Sequence, residues 1–510
     1  MELRDPSGPA SSIRDRCVDF CLVSNNDGRP WDEYTITGEM QAFAMMWEAL
    51  MQGEYRGDFT RDTFQQRNHF ARVLMQQGRI QLDADWNEQT AILLHYLTAL
   101  AADLIGPCGG PERSFAIDKL VTGGKEVPSD FSIQGGHYYV NGILCENEAE
   151  IAYTHQPGHP FPTCPRLDTG VYLAYLDVWE RHISWVEEPK IRDVALGGPD
   201  TAARAKVVWQ VKAIEVLSPL SKSTQPGDFE QFIQEHFLTV GRAGLRARTK
   251  PAAGSESTRA VDATAGYRGL KNQLYRVEIH QGTETGPQVT FKWSRDNGCV
   301  TFPIITLDGT HARIAKLGRD DSRSLLVNNW VEIMDDDVAL GGQSGPLRQV
   351  TKVEDCTITL NEAVRRSYNE QSTKHPLLRR WDHSGTPSEL VFGALSIHEG
   401  NGDDEKEWTP LEEGIEVQFR PAGRGEENNY RSGDYWLIPA RPATGDVEWP
   451  QQLDDEGKPA RYAGGNPIPA CRKPHGVEHH YAPLASITFS AGKITNCTPL
   501  QRRFQPFARV

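Results

Sequence analysis

The string HGVEHH near the C-terminus has the residue types for metal chemistry. His475, Glu478 and His479 satisfy H-x-x-E-H, the inverted form of a zinc-hydrolase motif. That chemistry needs a helix, so that both imidazoles face one zinc while the glutamate activates water. The local context opposes a helix. Pro474 precedes the string, Gly476 sits inside it and Pro483 follows closely. Residues 481–510 contain no Asp or Glu to complete a ligand set. The expectation is a histidine-rich loop that packs or hydrogen-bonds, with no metal bound and no catalytic residue.

Other constellations are weaker. Asp83, Asp85 and Asn87 match the first three ligand positions of an EF-hand, but Glu88 and Leu94 stand where that loop needs Gly and a bidentate Glu. Asp85 reads instead as a helix cap, with Glu88 completing a capping box. Two acidic clusters, Glu332, Asp335, Asp336, Asp337 and Asp403, Asp404, Glu405, read as solvated turns, with turn-bound calcium as the sharper alternative. Trp179, Trp185, Trp209, Trp293, Trp436 and Trp449 could stack on sugars, and core packing is the expected role for most of them. No phosphate-cradling glycine loop and no G-x-S-x-G nucleophile elbow occurs. The expectation is a protein that is not an enzyme and holds no cofactor.

The elements around these residues are mostly strands. The 510 residues carry a net charge of −15, which disfavours a general nucleic-acid binder. The 46 Gly and 32 Pro imply many turns. Nine scattered cysteines show no disulfide or zinc spacing and read as reduced thiols. The opening MELRDPSGPASSIRDR has no apolar region of a signal peptide, so cytoplasmic assembly is expected. The apolar run 90–106 is too short to span a bilayer, so no direct membrane span is expected.

Periodicity sets out the modules. Met40, Phe43, Ala44, Trp47 and Met51 recur at helical spacing and read as an amphipathic helix packed on its own domain; the sharper reading is a docking arm with Phe43, Trp47 and Met51 as candidate interaction residues. Trp86, Leu93, Leu97, Leu100 and Leu104 fall on one face of a long helix over 86–104 that stops at Gly106-Pro107. That stripe is expected to pack inside its own module. Strand periods follow: 137–144 around an Asn-Gly turn, 170–187, 205–217, then short strands at roughly ten-residue spacing after 267. Residues 229–238 read as a helix, 241–266 as a linker or mobile loop, and 375–388 as a break. The fold class is mainly β (α+β), with β-sandwich or barrel modules and an N-terminal helical module. The spans are 1–52 (extension), 53–115 (helical), 116–240 (β-rich), 241–266 (linker), 267–385 (barrel or sandwich) and 386–510 (β-rich).

Several runs resemble an uncharacterised bacterial domain-of-unknown-function family: YRGDFTRDTF, RVLMQQGRIQLDADWNEQ, YLDVWERHISWVEEP, FKWSRDNG, GDYWLIPARPATGDVEWP and KPHGVEHHYAPLA. The resemblance covers about 54–490. Members look like components encoded beside phage tails and phage-tail-like contractile injection systems, and no catalytic residue carries over. What the resemblance implies is a structural or attachment component of such a particle: baseplate, fibre or anchoring periphery. Its partners would be the other particle proteins and further copies of itself, with a surface glycan as a further candidate. A glycan-binding adhesin, or a metal-dependent hydrolase or cargo protein, is the alternative. Members begin near the GDFTRDTF run, so residues 1–52 read as an added attachment element.

Overall fold

The computed structural model describes residues 55–59, 63–158, 167–193, 195, 200–216, 229, 232, 243–250, 266–317, 323–386, 388–422, 428–454 and 456–504. The candidate arm with Phe43, Trp47 and Met51 lies outside the described residues, as do most of 229–238 and 241–266. Among the described residues the fold is mainly β, and no helix is long and apolar enough to cross a membrane.

One core is built by strands from both ends of the chain. Gly170–Ile183 pairs with Arg204–Glu215 on one side and with His480–Ser490 on the other, and Lys493–Pro499 completes that four-stranded sheet. Ala174, Leu176 and Val178 enter an apolar core shared with Phe115, Phe131, Tyr138 and Ile487. The Asn141-Gly142 hairpin forms as expected between Gly136–Val140 and Ile143–Asn147, with positive φ at both turn residues. Strand pairing therefore crosses the spans read from the sequence: residues 480–499 belong with 170–215.

Two further bodies lie in the middle of the chain. Gln273–Gln281, Thr290–Ser294 and Tyr435–Arg441 centre a six-stranded sheet, which shares a core with the sheet of Gly244–Thr249 and Ile415–Arg420. A second body is a closed barrel. Its strands run His311–Ile314, Thr357–Leu360, Leu347–Glu354, Trp330–Met334, Leu377–Trp381 and Thr301–Asp308, which pairs back onto the first. The break expected at 375–388 is corrected here. Leu377–Trp381 is an inner barrel strand whose Leu378 faces the barrel core. Its charged pair Arg379-Arg380 hid it from a search for apolar alternation.

Helix α1 spans Asp83–Ile105. Straight-chain and alanine-rich composition favours it. Its N-cap is Leu82, three residues before the expected cap. Asp85 is therefore inside the first turn and accepts from the Leu82 N–H at 3.4 Å. Glu88 accepts instead from Thr63 Oγ1 at 2.6 Å. The helix ends at Gly106, whose φ is 88°.

Candidate functional site

Alternation along Gln273–Gln281 sends Tyr275, Val277 and Ile279 into the sandwich core and Arg276, Glu278 and His280 to the opposite face. The neighbouring strand does the same, with Phe291 and Trp293 inward and Lys292 outward. In an isolated sheet this charged face would meet water. Here the barrel covers it through Trp330–Met334 and Leu377–Trp381, so Arg276, Glu278, His280, Lys292 and Glu332 are all buried.

The charges answer one another. Lys292 Nζ is 2.7 Å from Glu332 and 3.3 Å from Glu278. Arg276 Nε donates to Glu278 at 2.5 Å. The Trp381 indole N–H donates to Glu332 at 2.9 Å, and the Gly345 N–H donates to the same carboxylate at 2.9 Å. Three cations (Arg56, Arg276, Lys292) face two carboxylates. Aromatic faces take part of the excess: Arg276 lies 3.5 Å from the Tyr435 ring centre and Lys292 lies 4.5 Å from that of Trp381.

The segment Tyr55–Asp58 is held against this layer. Arg56 pairs with Glu278 at 2.9 Å. The Tyr55 carbonyl accepts from Arg276 and Asn297, each at 3.3 Å, and the Gly57 carbonyl accepts from Asn297 at 3.0 Å. Asp58 pairs with Arg323 on the exposed side. The Tyr55 hydroxyl donates to Glu180, on the long strand of the first core. Three sequence runs, YRGD, VWER and FKWSRDN, thus converge where the three bodies meet.

Burial would raise both carboxylates. The Arg56, Arg276 and Lys292 charges instead hold Glu278 well below the usual carboxylate range, and Lys292 above all holds Glu332 low. Burial, then the adjacent Lys292, pushes His280 down to about 3. Burial pushes His383 down to about 4, although its ring N–H donates to the Gly393 carbonyl at 2.7 Å. Both rings are therefore neutral at pH 7. The arrangement acts as a clamp: its charges are aimed at one another, and it joins segment 55–58, the sandwich and the barrel. The sequence reading missed it because Arg, Glu and His at alternate strand positions look like a solvent face.

The residues singled out in sequence are dispersed. Residues 476–479 form no helix. The His475 ring packs on Tyr435, with centroids 5.5 Å apart. His479 lies 2.6 Å from the Asp177 carboxylate. Burial would raise Asp177, but His479 and Lys212 hold it below its ordinary value. In the first acidic cluster Asp337 is exposed as expected, and the other three are corrected from solvated turn to buried partners: Glu332 belongs to the clamp, Asp335 caps helix α2 (Asp336–Leu340), and Asp336 pairs with Arg181 at 3.1 Å and His375 at 2.8 Å. Asp403 pairs with Arg248. Among the described residues no group of three His, Cys, Asp or Glu is placed to hold a metal. The six described cysteines are free thiols. Trp179, Trp293 and Trp436 are buried. Trp209 and Trp449 are half-buried and donate to the Glu146 and Ala470 carbonyls.

The largest departure from expectation lies in α1. The stripe expected inside is outside: Trp86 is 66% exposed, Leu97 63% and Leu104 78%, with Leu93 and Leu100 also open. Ala84 and Ile92 are the helix's buried residues. The preceding extended segment crosses the helix on another face, where the Val73 N–H donates to Gln89 at 2.9 Å and the Phe64 ring meets His95. It exposes Phe70, Leu74, Met75, Ile80 and Leu82 as well. The other side of α1 leans on the first core, where Ile105 borders Gly109 and Thr98 borders Gly142. Periodicity located the apolar face correctly but carries no information about which chain covers it.

Residues 55–219 and 235–506 match a family of unknown function, DUF6519. No curated protein and no solved structure matches. The match spans most of the 510 residues, includes the clamp and the exposed helix, and starts at Tyr55. The chain belongs to the DUF6519 family of unknown function.

Proposed function

We propose that this protein is a structural or attachment component of a phage-tail-like contractile injection particle, at its baseplate, fibre or anchoring periphery. The observation that carries an assembly role is the exposed apolar arm over residues 70–104. Contiguous apolar surface of this extent on a soluble chain marks a protein interface. The clamp supports the same reading, because charges locked against one another suit a rigid joint rather than a reacting centre. The resemblance of the sequence runs to proteins encoded beside contractile systems supports this kind of particle. On this reading the chain assembles in the cytoplasm with the other particle proteins, and leaves with the particle or anchors it. Fractionation of a lysate of the source cells by size, with mass spectrometry of each fraction, tests the proposal. The chain should sediment with sheath and tube proteins in a fixed ratio. A chain found entirely among single proteins while intact particles sediment would overturn it.

A further inference from the structure

The exposed stripe has a stricter order than an amphipathic face needs. Trp86, Leu93 and Leu100 are seven residues apart, and Leu97 and Leu104 interleave with them at the four-then-three spacing of a heptad seam. With Thr90 they fill alternating d and a positions over about three heptads. On a helical wheel the five large side chains lie within roughly 60° of one another. The seam points away from Thr98 and Ile105, which face the first core, and from the buried Ile92, while Gln89, which accepts from the extended segment, borders it on one side.

We propose that the seam is covered by the same helix of other copies of this chain, so that α1 forms a coiled-coil bundle at the centre of a homo-oligomer. This rests on the assembly reading above and names the partner of that same face. A 3.5-residue repeat suits helices that wind around one another as equals, because each seam residue enters a hole built by its counterparts. The flanking positions Leu94, Tyr96 and Ala101 are apolar too, and α1 contains no Lys or Arg, so the seam is wider than a and d alone. The area is of the right order. The five large seam residues, Leu94 and Tyr96 are each about half exposed or more. At roughly 100 Å² apiece they offer on the order of 700 Å² per copy, close to the ~800 Å² per partner of a standard interface. Residues 1–54 are a poorer occupant. They lie outside the family match, whereas the seam lies inside it, so a cover common to the family comes from the matched region itself.

The test is the solution mass of the purified full chain, by light scattering after gel filtration and by sedimentation equilibrium. The expected mass is a whole-number multiple of one chain. Leu97→Asp with Leu100→Asp should reduce it to one chain while leaving the melting temperature of the β-structure unchanged. Leu97→Ala with Leu100→Ala, which keeps helix propensity, should raise the dissociation constant at least 100-fold if the aspartates prevent folding. Leu270→Asp, at an exposed site away from the seam, should leave the oligomer intact. A monomeric wild-type chain, or an oligomer that survives both double variants, would overturn the proposal. So would a wild-type monomer destabilised by the aspartates, since that means the chain's own residues 1–54 cover the seam. The two readings fail separately. A monomer that still sediments with particles contradicts only the bundle, and an oligomer that never meets other proteins contradicts only the particle role.

Discussion

Arg56 and Glu278 stand 222 residues apart in sequence and meet as a buried ion pair at 2.9 Å. Arg56 belongs to a segment with little regular structure of its own, and Glu278 lies mid-strand in the sandwich sheet. Their contact fixes the start of the family-matched region against the charged layer between sandwich and barrel. Arg56→Met should destabilise the fold by about 3–5 kcal/mol, the usual cost of removing one partner from a buried pair. Urea titration of purified protein measures it. A change below about 1 kcal/mol would show that Arg276 and Lys292 satisfy Glu278 without it.

Lys292 and Glu332 join the two bodies directly at 2.7 Å. Each single variant, Lys292→Met or Glu332→Gln, should cost several kcal/mol, because each strands a buried polar group. The double variant should cost less than the sum of the two, with a coupling of about 1–3 kcal/mol in a double-mutant cycle. Strict additivity would mean that the two residues do not depend on each other.

His280 and His383 are neutral in the folded protein, with pKa values near 3 and 4. The unfolded chain binds protons at both rings once the pH falls below about 6.5, while the folded chain does not. Stability should therefore be full above about pH 6.5 and decline as the pH falls toward 4. Below about 4.5, protonation of the depressed carboxyl of Glu278 in the unfolded chain adds to the decline. His383→Gln, whose amide can still donate to the Gly393 carbonyl, should flatten the melting-temperature profile between pH 6.5 and 4. An unchanged slope would show that His383 is not a source of the dependence.

Gly142 has a φ of 81°, and a Cβ built there would lie 2.2 Å from the Thr98 carbonyl of α1. Both the turn and the seating of the helix need glycine at this point. Gly142→Ala should cost about 2 kcal/mol or more, and should raise amide hydrogen exchange in α1 above that of the strands it leans on. Unaltered exchange in α1 would mean that the helix is not seated by this contact.

Legibility in sequence followed a single physical divide. Where burial comes from neighbours in sequence, the pattern was readable. The Asn141-Gly142 hairpin, the strand carrying Ala174, Leu176 and Val178, and the ends of α1 to within a turn all came from local rules. Where the covering surface comes from far along the chain, the same pattern misled. Arg276, Glu278 and His280 sit at alternate positions of a strand, and nothing nearby in sequence reveals that the barrel covers them. Leu93, Leu97 and Leu100 read as core because an apolar stripe does not state whose surface buries it. The runs YRGD, VWER and FKWSRDN are distinctive strings, but their meeting point depends on the pairing of three separate bodies.

The central claim is that this chain is an assembly component joined through the α1 seam. The most direct measurement is incorporation into particles isolated from source cells that express either the wild-type chain or the Leu97→Asp, Leu100→Asp variant at equal levels. Quantitative mass spectrometry of the sedimented particles gives copies of the chain per copy of tube protein. The account predicts a fixed ratio for the wild type and a loss of at least tenfold for the variant, with the variant recovered as folded, soluble protein. Equal incorporation of the two, or absence of the wild-type chain from intact particles, would contradict it.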